Sequence, residues 1–259
     1  MWPNARSADE IIQNSPLHFA RFEFKYILRL EKRLAVEEEL KYFLQFDPFV
    51  VDRPGNRYTV RSLYYDDSSY SAFHDKIDGL HSRYKFRIRT YATDPADKVP
   101  MFIEIKGRHN NLVFKDRAPI DRDCVDWSCL HGSALGHAIL EHTAVDPVVD
   151  QFRFDLVRKR LKPVALIDYQ RRPYLSKYDP TFRLTFDEAL SARNTDCVFP
   201  SASSSARKIL AGYTVLEVKF RHHLPSWFHR IIQSYELQRV SISKICAGME
   251  VLGLAYDER

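Results

Sequence analysis

Ser82–Tyr91 reads SRYKFRIRTY. Taken two residues at a time, Arg83, Lys85, Arg87 and Arg89 fall on one face and Tyr84, Phe86 and Ile88 on the other. Alternate side chains leave a β-strand on opposite sides, so this is the pattern of a strand with one apolar face. Successive cations on the polar face stand about 6–7 Å apart and repel one another unless an anion lies opposite. A single strand of this kind is ordinarily a solvated outer face. Its weight depends on whether other strands repeat the pattern.

They do. Upstream, residues 17–30 (LHFARFEFKYILRL) set Arg21, Glu23 and Lys25 opposite Phe22, Phe24 and Tyr26. The spacing then predicts a helix over 31–46 with Leu34, Leu40, Phe43 and Leu44 on its apolar side, ended by Asp47-Pro48. A Pro54-Gly55 turn, a strand over 58–66 and a short helix to Ile77 follow, the helix capped by Ser68 and Ser69 and closed by Gly79. Downstream of the basic strand, a loop at Asp94-Pro95 leads into 101–106, where Glu104 and Lys106 share a face. A hairpin turn at 107–111 enters LVFKDRAPI, which places Lys115 and Arg117 together.

From about 126 to 162 the period becomes helical, with two helices broken near Pro147. Pro163 introduces PVALIDYQRRPY, with Tyr169 and Arg171 on one side, and then TFRLTFD, with Arg183, Thr185 and Asp187. Residues 191–212 are polar and Ser-rich and read as a mobile loop. The last strand, 213–221, sets Glu217, Lys219 and Arg221 opposite Leu216, Val218 and Phe220, and helices are expected at about 225–238 and 242–252. No repeat or linker divides the chain, so one α+β domain over 1–259 is expected.

At 259 residues, 45% hydrophobic and 13% aromatic, the chain is long and apolar enough for a sizeable core. A net charge of +5 is mild but compatible with an anionic ligand. The N-terminus lacks a basic region followed by an apolar core, and no apolar run approaches ~20 residues. A cytoplasmic protein with no membrane segment is expected. Cys124 and Cys129 with His131 offer a conceivable metal set, but scattered reduced thiols are the reading adopted. His74, His81, His109, His222 and His223 show no metal spacing.

The polar faces of these strands carry thirteen cations: Arg21, Lys25, Arg83, Lys85, Arg87, Arg89, Lys106, Lys115, Arg117, Arg171, Arg183, Lys219 and Arg221. Against them stand four anions, Glu23, Glu104, Asp187 and Glu217, although the whole chain has 39 basic and 34 acidic residues. A solvated face mixes signs more freely. The pattern fits a closed antiparallel barrel with a charged lumen and an outer face packed on helices. Such a lumen calls for a bound polyanion or water. No GxxxxGK[ST] or GxGxxG is present among the 8 glycines, so side chains must hold the phosphates. Nucleic acid is not expected, because single-strand binders place aromatics on the cationic face and here they lie mainly opposite. An unbranched phosphate chain fits better.

In order along the chain, FEFKY (22–26), YKFRIR (84–89), FIEIKG (102–107), VFKDRAPI (113–120), DYQRRPY (168–174), FRLTFD (182–187), LEVKF (216–220) and SISK (241–244) resemble the VTC-type polyphosphate polymerase domain of the triphosphate tunnel metalloenzymes. The first strand departs from the wider superfamily's ExExK, reading Arg21-Phe-Glu23-Phe-Lys25. That removes one acidic metal candidate and counts against a hydrolase. The resemblance implies a closed eight-stranded tunnel in which ATP gives its terminal phosphoryl group to a polyphosphate chain and ADP leaves. It implies catalytic roles for Lys25, Arg87, Arg89, Lys106, Lys219 and Lys244. Substrate binding would fall to Lys115, Arg117, Tyr169, Arg171, Arg183 and Ser243. Glu217 and Glu104 would hold Mn²⁺ or Mg²⁺, with Glu23 open between metal support and pairing with lysines. The alternatives are a triphosphatase on the same tunnel and a non-catalytic polyphosphate-binding module. Repulsion along 83–89 further predicts that losing Arg87 or Arg89 leaves the fold intact while weakening triphosphate binding by about 1.5–3 kcal/mol.

Overall fold

The computed structural model describes residues 22–110, 112–127, 130–201 and 203–256, so Arg21 and Cys129 lie outside the described residues. Strand β1 (Phe22–Arg29) runs directly into helix α1 (Leu30–Leu40), followed by β2 (Leu44–Phe46), β3 (Tyr58–Asp66), α2 (Ser71–Ile77) and β4 (Ser82–Thr90). Next come β5 (Met101–His109), β6 (Leu112–Ile120), α3 (Gly132–Glu141), α4 (Pro147–Arg158) and β7 (Lys162–Ser176). The chain continues through β8 (Arg183–Arg193), β9 (Arg207–Lys208), β10 (Tyr213–Phe220), α5 (Ser226–Ser234) and α6 (Lys244–Leu252).

The strands form one antiparallel sheet in the order β1-β10-β8-β7-β3-β4-β5-β6, with β2 added to β7 and β9 to β8. The eight long strands match the expected number. Closure does not follow as expected: among the described residues no ladder joins the edge strands β1 and β6. Pro119 in β6 has no N–H to donate, and beyond β5 this strand carries only an isolated bridge between Ile120 and Thr143 among the described residues. The two ends of the curved sheet meet instead through side chains, with Glu23 of β1 3.3 Å from Lys106 of β5.

Outward-facing apolar residues bury against helices, which is what makes the sheet two-faced. Phe86, Ile88, Ile103 and Ile105 pack with Leu135 and Ile139 of α3 and Phe152 of α4. Tyr26, Leu184, Leu216 and Val218 pack with Val36 of α1 and Phe228 and Ile231 of α5. Helix α6 differs, because it packs on Val60, Ile167, Tyr169 and Val215, which share the inward face. Gly248 permits this approach: a Cβ there would sit 2.5 Å from Ile167 Cδ1. So α6 fills part of the curved sheet's interior and presents its first residue, Lys244, to the remaining space. No helix among the described residues is long and apolar enough to cross a membrane.

Four local expectations need correction. Helix α1 ends at Leu40, Leu44 belongs to β2, and Leu34 is exposed. The buried face carries Arg33 and Glu37 beside Val36 and the expected Leu40. Arg33 binds Glu188 at 2.6 Å and Glu37 binds Arg172 at 2.8 Å, so ion pairs join apolar contacts in holding this helix. Asp66 and Asp67, not Ser68 and Ser69, serve the start of α2, accepting from Ala72 and Ser71 backbone N–H groups at 3.0 and 3.1 Å. Gly107 lies within β5, where its missing side chain leaves room for the Phe114 ring. Residues 191–193 extend β8, and Arg207–Lys208 pair back onto them as β9.

Candidate functional site

The inward face and the start of α6 enclose a cavity of about 940 Å³, at the upper end of the range for ligand pockets. All fourteen residues given roles by the sequence line it: Lys25, Arg87, Arg89, Lys106, Lys115, Arg117, Tyr169, Arg171, Arg183, Lys219, Ser243, Lys244, Glu104 and Glu217. Strand pairing explains the convergence. Lys85, Lys106 and Lys115 stand in one row across β4, β5 and β6, and Arg87, Glu104 and Arg117 in the next. Across the sheet, Lys25, Glu217 and Thr185 make a row through β1, β10 and β8.

Three carboxylates each hold a group of cations. Glu104, 1% exposed, accepts Arg87 Nε and Nη2 at 2.8 and 2.6 Å, with Lys115 at 3.5 Å and Arg89 at 3.8 Å. Glu217 meets Lys219 at 2.7 Å, Lys244 at 3.4 Å and Arg171 at 3.8 Å. Glu23 meets Lys25 at 3.0 Å, Lys106 at 3.3 Å and Lys219 at 4.0 Å. Behind the wall, fully buried Asp187 accepts both sides of the Arg171 guanidinium at 2.7 Å and the Lys244 ammonium at 2.6 Å. Arg89 is placed by Ser62 at 3.0 Å and Tyr169 at 3.4 Å. Arg183 reaches Asp47 at 2.6 Å, Lys85 donates to Ser243 Oγ at 3.4 Å, and Arg117 stacks over Phe102.

The electrostatics follow from this crowding. Burial alone would raise the Glu217 carboxyl, but Lys219, Lys244 and Arg171 hold it well below the usual carboxylate range. Glu23 is likewise held low by Lys106, Lys25 and Lys219, despite burial and the nearby Glu217 charge. Burial would lower Lys244, yet Asp187 and Glu217 keep it raised. Lys106 is different: burial outweighs Glu23 and pulls it down to about 8. Tyr64, which accepts from Arg87 Nη1 at 2.9 Å, is brought down to about 8 against burial by Arg87 and Arg89.

Several lining residues escaped the sequence reading. Arg108 was lost because 107–111 was read as a turn, yet β5 continues and sets Arg108 directly opposite Arg83. Tyr58 and Tyr64 line the cavity from β3, whose period-two reading would have put them on one face with Ser62. Tyr91 falls on the face of Arg89 by the same period-two reading, whereas Lys76 of α2 and Arg239 carried no such signal. One expected cation is not there: Arg221 follows the end of β10 and is exposed outside the cavity. In all, fifteen lysines and arginines face five carboxylates, Glu23, Asp47, Glu104, Asp116 and Glu217.

The family model described as "VTC domain" matches residues 20–253. The chain belongs to the VTC domain family. Among solved structures, this VTC domain is similar to a candidate adenylate cyclase from Bacillus halodurans, with 14% identity and a TM-score of 0.50, covering 87% of this chain and 94% of that one. At that identity the likeness shows the fold alone. A Mimivirus capping enzyme triphosphatase aligns at 7% identity and a TM-score of 0.39, covering 90% of this chain and 99% of that one. No curated protein sequence matches this chain.

Proposed function

We propose that this VTC domain is a metal-dependent polyphosphate polymerase that transfers the terminal phosphoryl group of ATP to a growing phosphate chain. The observation that carries the reading is the cavity's surplus of positive charge. Fifteen cations against five carboxylates leave ten, and Asp187 behind the wall reduces that only to nine. A triphosphate supplies about four negative charges near neutral pH. The surplus also has a direction. Arg83 and Arg89 are six residues apart on β4, about 20 Å at 3.3 Å per residue. At the Arg83 end, Arg108 and Lys76 add charge, so a chain longer than one triphosphate has partners along its length.

A divalent cation fits the opposite wall. Glu217 and Glu23 share Lys219, and Thr185, across from Glu217, has a buried hydroxyl with no hydrogen-bond partner. This all-oxygen donor set suits Mg²⁺ or Mn²⁺, which keep open positions for substrate phosphates. When bound, the metal would neutralise phosphate charge. Glu104, enclosed by Arg87, Arg89 and Lys115, is read as their counter-ion, leaving the metal to Glu217 and Glu23. The chain's own residues then do the remaining work. Arg171 and Lys244, fixed by Asp187, Arg87, fixed by Glu104, and Arg89, fixed by Ser62 and Tyr169, hold the reacting phosphates in place. The terminal oxygen of the acceptor chain attacks the γ-phosphorus, the β–γ bridging bond breaks, and ADP leaves. Phosphoryl transfer of this kind needs positioning and charge neutralisation more than covalent chemistry.

With ATP and Mn²⁺, the products should be ADP and an acid-labile polymer, with added short polyphosphate removing any lag. Orthophosphate appearing in step with ADP and no polymer would instead make this a triphosphatase. Polyphosphate binding without turnover of any nucleoside triphosphate would leave a binding module.

A further inference from the structure

Away from the phosphate cavity, the loop after β8 meets the start of α3. There His131, Asp196 and Cys197 offer an imidazole nitrogen, a carboxylate oxygen and a thiol sulfur that all lie within 4.8 Å of one another. None of the three lines the cavity. The backbone fixes their meeting: the Gly132 N–H donates to the Asp196 carbonyl at 3.3 Å. Gly132 itself has φ +53°, which lets the chain leave His131 and turn at once into α3. His131 Nδ1 is 3.1 Å from Asp196 Oδ1, and the buried Cys197 sulfur is 3.2 Å from Thr195 Oγ1.

We propose that His131, Asp196 and Cys197 form a zinc site with one position left to water, independent of the phosphate chemistry. The donor set selects the metal. Hard cations such as Mg²⁺ and Ca²⁺ take oxygen ligands, whereas a thiolate, an imidazole and a carboxylate together suit borderline-soft zinc. Tetrahedral zinc, with sulfur at about 2.3 Å and nitrogen or oxygen at about 2.0–2.2 Å, places its ligand atoms roughly 3.3–3.7 Å apart. His131 Nδ1 and Asp196 Oδ1 stand 3.1 Å apart and no two ligand atoms are more than 4.8 Å apart, so small side-chain shifts suffice. On binding, the Cys197 thiol releases its proton to solvent and the His131–Asp196 hydrogen bond gives way to two metal bonds. His131 and Asp196 are both more than half exposed, so the ion has a path in. A bound ion would clamp the β8–β9 loop to α3. The competing reading is a surface His–Asp hydrogen bond that happens to lie beside a thiol.

Cobalt titration of the full chain separates the two, because a cobalt–thiolate bond gives a charge-transfer absorption that a carboxylate-only site in the phosphate cavity cannot give. The expected result is one equivalent of cobalt bound with that absorption, displaced by zinc and absent in Cys197→Ser. His131→Ala, at an exposed position that leaves folding unaffected, should weaken binding at least about tenfold, while Cys124→Ser should bind as the natural chain does. No thiolate absorption in the natural chain, or an absorption unchanged in His131→Ala or Cys197→Ser, would overturn the site.

Discussion

Glu217→Gln is expected to lower metal-dependent turnover by about 10²–10³-fold or more while leaving metal-free polyphosphate binding at least as tight. The substitution keeps the shape and the strand but removes the charge that Lys219, Lys244 and Arg171 now share. The fold should tolerate it, because Asp187 still holds Arg171 at 2.7 Å and Lys244 at 2.6 Å. The cavity gains one net positive charge, which favours an anionic chain. Steady-state turnover and metal-free calorimetry on the same preparation check both halves. Turnover within about tenfold of the natural protein, a difference of only about 1.4 kcal/mol, would remove Glu217 from the metal site.

Arg87→Ala should destabilise the protein by about 3–5 kcal/mol, the cost of leaving a buried charge without its partner. This reverses the expectation drawn from repulsion within SRYKFRIRTY. Glu104 is 1% exposed and takes two hydrogen bonds from Arg87, and its other partners stand off at 3.5 and 3.8 Å. Arg87 and Arg89 are therefore neutralised from within the cavity wall, and removing Arg87 strands a carboxylate. Adding Glu104→Gln to the Arg87→Ala variant should restore a large part of the loss. Urea unfolding of the two variants decides the matter: an Arg87→Ala protein as stable as the natural one would show that Glu104 is not held as described.

Period-two alternation carried most of the architecture, because a sheet buried on one side and charged on the other writes its register into the residues. That is why β3, β4 and β10 fell within a residue of their expected bounds and why the cations of seven strands converge. Alternation carries no information about which edges pair, and the missing β1–β6 ladder could not be read from it. The signal also failed wherever polar groups replaced apolar ones in packing, as in α1, where Arg33 and Glu37 face inward and Leu34 faces water. Gly107 misled in another way. A glycine needed for contact with Phe114 looks in sequence like a turn, and that single misreading cost both the end of β5 and Arg108. The His131–Asp196–Cys197 cluster joins residues 65 positions apart, a separation no local pattern reports.

The claim that the cavity holds a phosphate chain longer than one triphosphate is tested most directly by metal-free binding calorimetry against chain length. Affinity should keep rising beyond triphosphate. The Arg83→Ala/Arg108→Ala double variant should lose that extra affinity for long chains and keep most of its affinity for triphosphate. An affinity that levels off at triphosphate, unchanged in the double variant, would contradict the account.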